Sequence, residues 1–146
     1  ELGYDIALDY HAGDFEAALR QAAPDGIDVF FDTVGGVQFE AAVQAAAEQA
    51  RFALCGALSG QLDDSEGAHP RLDLMTAIVK SLSIRAFAAH HTPEQLATWN
   101  SHYILWLSSH RIIYPHTIVT GGLDIAASTL DDLLAGRHRG NVLVEL

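Results

Sequence analysis

The chain has 146 residues, 49% of them apolar, enough for one domain with a packed core but short for an enzyme with separate cofactor and substrate domains. Its 19 acidic residues against 8 Lys and Arg give a formal net charge of −11. The only basic cluster is Arg137-His138-Arg139, which argues against nucleic acid and anionic membrane as partners.

A single cysteine, Cys55, rules out an internal disulfide and fits a reducing, cytoplasmic setting. No apolar stretch approaches the roughly 20 residues that span a bilayer, and the opening ELGYD has neither a basic start nor a signal-like apolar core. It also lacks a starting Met, so the chain is expected to begin partway through a larger protein.

In chain order, Ile6 to Asp9 is a brief apolar run that predicts a strand ending in Asp9-Tyr10. Phe15, Ala18, Leu19 and Ala22 then fall at helical spacing, and Pro24-Asp25-Gly26 stops that helix. Ile27 to Phe31 is the next apolar run, followed by an Ala-rich helix with Phe39 and Val43 facing inward. Phe52 to Leu54 predicts the third strand, a polar loop runs from Gly60 to Arg71, a helix covers Leu74 to Ser81, and Ser83 to Ala89 is the fourth strand. Strand and helix in repeated alternation, with strands apolar on both faces, predict a parallel sheet covered by helices.

Thr92-Pro93-Glu94-Gln95 is a capping box with Pro at the first helical position. Leu96, Trp99, Tyr103, Trp106 and His110 follow at alternating steps of three and four, and the Trp99, Tyr103, Trp106 stripe is simplest as core. A strand near Thr117 to Val119, a helix from about Ile125 to Leu134 stopped by Gly136, and a final strand Asn141 to Leu146 complete the chain.

Ligands of open parallel sheets bind beyond the carboxyl ends of the strands. Three segments sit there: Asp9-Tyr10, Asp32-Thr33-Val34-Gly35-Gly36, and Cys55-Gly56-Ala57-Leu58-Ser59. Each alone has an ordinary turn explanation; their repetition on successive strands is what points to a site. No GxGxxG follows a first strand, so a nucleotide-type scaffold stands without its phosphate loop. The eight histidines do not make a metal site: His90 and His91 are adjacent on a strand and point to opposite faces, and His102 and His110 lie more than two helical turns apart. Ser59 lacks the GxSxG of an activated serine, and Cys55 reads as a small buried hydrophobe more readily than as a reactive thiol.

The series LGYDIALDY, PDGIDVFFDTVGG, RFALCGALS, IRAF and GRHRGNVLVEL resembles the second half of the zinc-independent medium-chain dehydrogenase/reductases, and within them the prostaglandin, alkenal and curcumin reductase group. The resemblance covers essentially the whole chain. It implies an α/β fold: a partial Rossmann-type parallel sheet with helices on both faces, lacking its first βαβ phosphate-binding unit. It also implies that residues 1–116 are the second part of a cofactor domain and that residues 117–146 return toward a catalytic domain.

The same resemblance implies NADP(H) as cofactor. Tyr10 would lie at the adenosine end and Thr33, where relatives carry Asn, near the nicotinamide. Cys55, Gly56, Ala57, Leu58, Ser59, Gly60 and Gln61 would run along the cofactor. Phe87, Ala88 and Ala89 would present backbone to the nicotinamide, and His138 would stand at another family Asn. Gln61 replaces a Tyr whose hydroxyl hydrogen-bonds the cofactor ribose and assists enolate stabilisation in the group; Gln donates a hydrogen bond but is no phenolic acid. No catalytic residue is assigned and no metal is expected. The implied activity is NADPH-dependent reduction of the carbon-carbon double bond of an enone or enal by a homodimer paired through the fourth strand. The alternative is a non-catalytic half-domain serving dimerisation or scaffolding.

Overall fold

The computed structural model describes residues 3–62 and 69–146, and the chain divides into two compact units, Gly3–His90 and His91–Leu146. The central part of the predicted polar loop, 63–68, lies outside the described residues.

Three parallel strands organise the first unit: β1 (Ile27–Asp32), β2 (Ala46–Leu54) and β3 (Ser83–Ala86), in the order β1-β2-β3. Register places Phe30 beside Phe52 and Phe52 beside Ile84, so one face carries a row of large apolar side chains. Helix α2 (Gly36–Gln44) lays Phe39, Ala42 and Val43 on that row. Phe52 is 2% exposed, with Phe30 tilted against it at 5.1 Å and Phe39 edge-on at 6.0 Å. Burial of these rings is the main stabilising term of the unit. On the opposite face of β1, within this unit, Val29 and Phe31 are exposed.

The connecting helices are fixed by local polar chemistry. Asp14 caps α1 (Phe15–Ala22), which packs beside α2, and Asp73 caps α4 (Leu74–Val79) by accepting from the Met75 and Thr76 amides. Lys80 donates through Nζ to the carbonyls of Gln44 and Ala46 at 2.9 and 2.7 Å, tying the end of α4 to the end of α2. A short helix, α3 (Leu58–Leu62), leaves the carboxyl end of β2.

Three expectations change. Ile6 to Asp9 forms no strand, because a strand exists only in a ladder and no described segment pairs with it. The fourth strand ends at Ala86 rather than Ala89: the Phe87 amide makes one more bond to the Leu54 carbonyl, where β2 itself ends. β2 begins earlier than expected, at Ala46, through an irregular stretch in which Gln49 has φ 61 and the pairing with β1 shifts register between Ile27 and Val29. The alanine run is thus divided between α2 and β2.

The second unit begins with α5 (Pro93–Ser108), whose capping box is complete: Thr92 Oγ1 accepts from the Gln95 amide and Gln95 Oε1 accepts from the Thr92 amide. Its aromatic stripe is not core. No residue of α5 is buried and Trp99 is 52% exposed, since no described element of this unit buries the stripe; its rings meet one another along the helix, Trp99 tilted against Tyr103 and edge-on to Trp106, and His102 stacked on Trp106. Strand β4 (His116–Thr120), a 3-10 turn at Leu123–Ile125, α6 (Ala126–Leu134) and β5 (Asn141–Glu145) form a βαβ unit with β4 and β5 parallel. Gly136, at φ 70, ends α6 as predicted: its amide bonds the Leu133 carbonyl while the Arg137 amide bonds that of Asp132. No described helix is long and apolar enough to cross a membrane.

Candidate functional site

Parallel pairing brings Asp32, Leu54 and Ala86 level across the three strands, so Thr33, Cys55 and Phe87 are the next residues along one edge. Polar contacts then join the segments. The Asp32 carbonyl accepts from the amides of Cys55 and Gly56 at 2.7 and 3.2 Å, and the Val34 carbonyl accepts from the Ser59 amide at 2.9 Å and from Ser59 Oγ at 2.7 Å. Gly56 has no room for a side chain, because it lies against the Thr33 backbone. Gly35, at φ 75, opens α2 in a conformation that glycine adopts without strain. The turn at 33–36 and the connection at 55–59 are therefore one assembled surface.

Asp32 belongs to this assembly; the sequence reading placed it in a candidate segment but assigned it no contact of its own. It is 4% exposed, and its Oδ1 accepts from the amides of Val34 at 2.9 Å and Gly35 at 2.8 Å. The signal was an acid followed by Thr-Val-Gly-Gly, the pattern of an Asx turn.

On the surface of the assembly Thr33, Gly56, Ala57, Leu58 and Gln61 are exposed, and Cys55, Ser59 and Gly60 are half-buried. Cys55 is thus not the fully buried hydrophobe of the sequence reading. Phe87, Ala88 and Ala89 are exposed; the Phe87 ring tilts toward Phe31 at 6.2 Å, and the His90 amide closes a turn onto the Ala88 carbonyl at 2.8 Å. Tyr10 stands apart from these contacts: it is exposed and packs its ring on His11 at 4.0 Å. His138 lies in the second unit, half-buried, with Nε2 4.0 Å from Asp132 and without a hydrogen-bond partner, while Arg137 pairs with the same carboxylate. Among the described residues no three His, Cys, Asp or Glu side chains gather as a metal-ligand set.

The assembled surface lies beyond the carboxyl ends of parallel strands, where open α/β sheets bind their ligands. The family described as zinc-binding dehydrogenase matches residues 1–101. The chain belongs to that family. The chain is 32% identical over 149 residues to the NADPH-dependent curcumin reductase of Escherichia coli and 31% identical over 147 residues to the 2-alkenal reductase (NADP(+)-dependent) of Nicotiana tabacum, with 99% of the chain covered in both. Among solved structures, CurA from Vibrio vulnificus in complex with NADPH superposes with a TM-score of 0.83 at 28% identity, over 98% of this chain and 43% of that one. The resemblance to the curcumin and alkenal reductase group is borne out, as is the partial Rossmann-type sheet. The chain spans 43% and 41% of the length of these two curated relatives.

Proposed function

We propose that this chain is the distal part of the cofactor domain of an NADP(H)-dependent, zinc-independent oxidoreductase that reduces the carbon-carbon double bond of α,β-unsaturated ketones or aldehydes in the cytoplasm. The observation that carries the reading is the assembled edge at Thr33–Gly36, Cys55–Gln61 and Phe87–Ala89, in a chain whose relatives are named for NADPH-dependent reduction. Residues 1–116 belong to the cofactor domain in this reading, and 117–146 lead back toward the catalytic domain.

The residues present fit a dinucleotide. Gly56 lets backbone approach backbone, Gly35 supplies the positive φ of the turn, and the exposed edge offers the Thr33 hydroxyl, the Gln61 amide and the main chain of Phe87 to Ala89. When bound, NADPH supplies a hydride. This chain holds and orients the cofactor: Thr33 takes the position beside the nicotinamide, Gln61 reaches the ribose, and the glycine contact keeps both segments at fixed spacing. Tyr10 and His138 extend the cofactor contacts in the full-length protein.

The test is consumption of NADPH by the full-length natural protein with an alkenal or alkenone, followed by product analysis. A saturated aldehyde or ketone as product supports the reading. An allylic alcohol as product, or no consumption with any enone, contradicts it.

A further inference from the structure

Asp32 is a carboxylate buried in the site with no basic side chain paired to it among the described salt bridges. One of its oxygens collects the amides of Val34 and Gly35 just before the first turn of α2, and its own carbonyl collects the amides of Cys55 and Gly56. One residue thereby joins both segments of the assembled edge by four hydrogen bonds from backbone amides. Thr33, between these bonds, is left with its side chain in solvent. The carboxylate also occupies the concavity of amides that would otherwise attract an anion.

Resting on the reading above, we infer that Asp32 is a positioning residue for the cofactor: its side chain fixes the 33–36 turn through its acceptor geometry, beside the main-chain carbonyl that holds Cys55 and Gly56, and it fills the turn so that an uncharged portion of the ligand lies there. Two consequences separate geometry from charge. Asn at this position keeps the same acceptor oxygen and loses the charge, whereas Ala loses both.

The experiment compares full-length wild type, Asp32→Asn and Asp32→Ala by NADPH titration and by hydrogen exchange at the amides of Val34, Gly35, Cys55 and Gly56. The expected result is an affinity for Asp32→Asn within about threefold of wild type and a loss of about tenfold or more in Asp32→Ala, the scale of unmade hydrogen bonds to buried amides. Faster exchange at the Val34 and Gly35 amides in Asp32→Ala alone is expected as well, with Cys55 and Gly56, which bond the main-chain carbonyl, staying close to wild type. Wild-type affinity in Asp32→Ala, or an equal loss in both variants, overturns the inference. If Asp32→Ala does not fold, Asp32→Asn alone decides: native exchange at the Val34 and Gly35 amides supports the inference, and accelerated exchange there overturns it. The exchange readout needs no cofactor, so a wild-type protein that fails to bind NADPH defeats the oxidoreductase reading without obscuring whether the Asp32 side chain holds the 33–36 turn.

Discussion

Gly56 is pressed against Thr33: a β-carbon at Gly56 would stand 2.6 Å from the Thr33 carbonyl oxygen and 3.2 Å from its carbonyl carbon. Both sides of this contact are backbone, so neither yields by a rotamer change. Gly56→Ala is expected to destabilise the protein by about 1–3 kcal/mol, the usual cost of overpacking, and to weaken NADPH binding because the turn at Thr33 shifts. Thermal unfolding with and without NADPH reads both effects. A variant with the wild-type midpoint and affinity would show that the two segments are not held at fixed spacing.

Gln61 projects from α3, its amide bonded to the Ala57 carbonyl at 3.2 Å and its side chain exposed. Gln61→Ala is expected to weaken NADPH binding several-fold, the loss of about 1 kcal/mol for one hydrogen bond, with kcat little changed. Gln61→Tyr should raise turnover modestly by supplying a phenolic donor. Steady-state kinetics and cofactor titration check this. A loss of turnover of about a hundredfold at unchanged affinity would assign Gln61 to the chemical step instead.

Asp73 is held at a pKa of about 2, below its ordinary 3.8, by hydrogen bonds first from the Thr76 side chain, then from Gln44, and from the Thr76 and Met75 amides. A depressed carboxylate stabilises the fold at pH above its ordinary value, and that contribution fades as pH falls from 3.8 toward about 2. Asp73→Ala should therefore lower the thermal midpoint at neutral pH, and its difference from wild type should shrink across that acid window. A difference that does not change with pH would mean that Asp73 acts without its charge.

The strand order places β3 at an edge of its sheet, with one side unpaired among the described residues. Such an edge recruits a partner strand unless it is covered, and a second copy related by a twofold axis meets it with the same strand. A homodimer of the full-length protein is expected in sedimentation at about tens of micromolar, where weak pairs are populated. Monomer alone at that concentration counts against pairing through β3.

The sheet was legible because Ile27–Phe31, Phe52–Leu54 and Ser83–Ala89 are short, mostly apolar stretches between helical patterns, and the capping box of α5 was legible because its four residues are contiguous. The interlocking of Thr33, Gly56 and Ser59 was not, since it depends on how β1 and β2 align and their ladder contains a register shift. The strand expected at Ile6–Asp9 failed for a related reason: an apolar run states a preference for burial, while a ladder also needs a neighbour. The Trp99 and Trp106 stripe shows the same limit, since helical spacing identifies a face but not what packs on it.

The most direct measurement of the central claim is hydrogen exchange across the full-length protein with and without saturating NADPH. Protection is expected to rise at residues 33–36, 55–61 and 87–89, the three segments that meet at the carboxyl edge of β1, β2 and β3, and to change little at the far ends of these strands. NADPH binding that leaves those three segments unprotected would contradict the account, as would the absence of any binding.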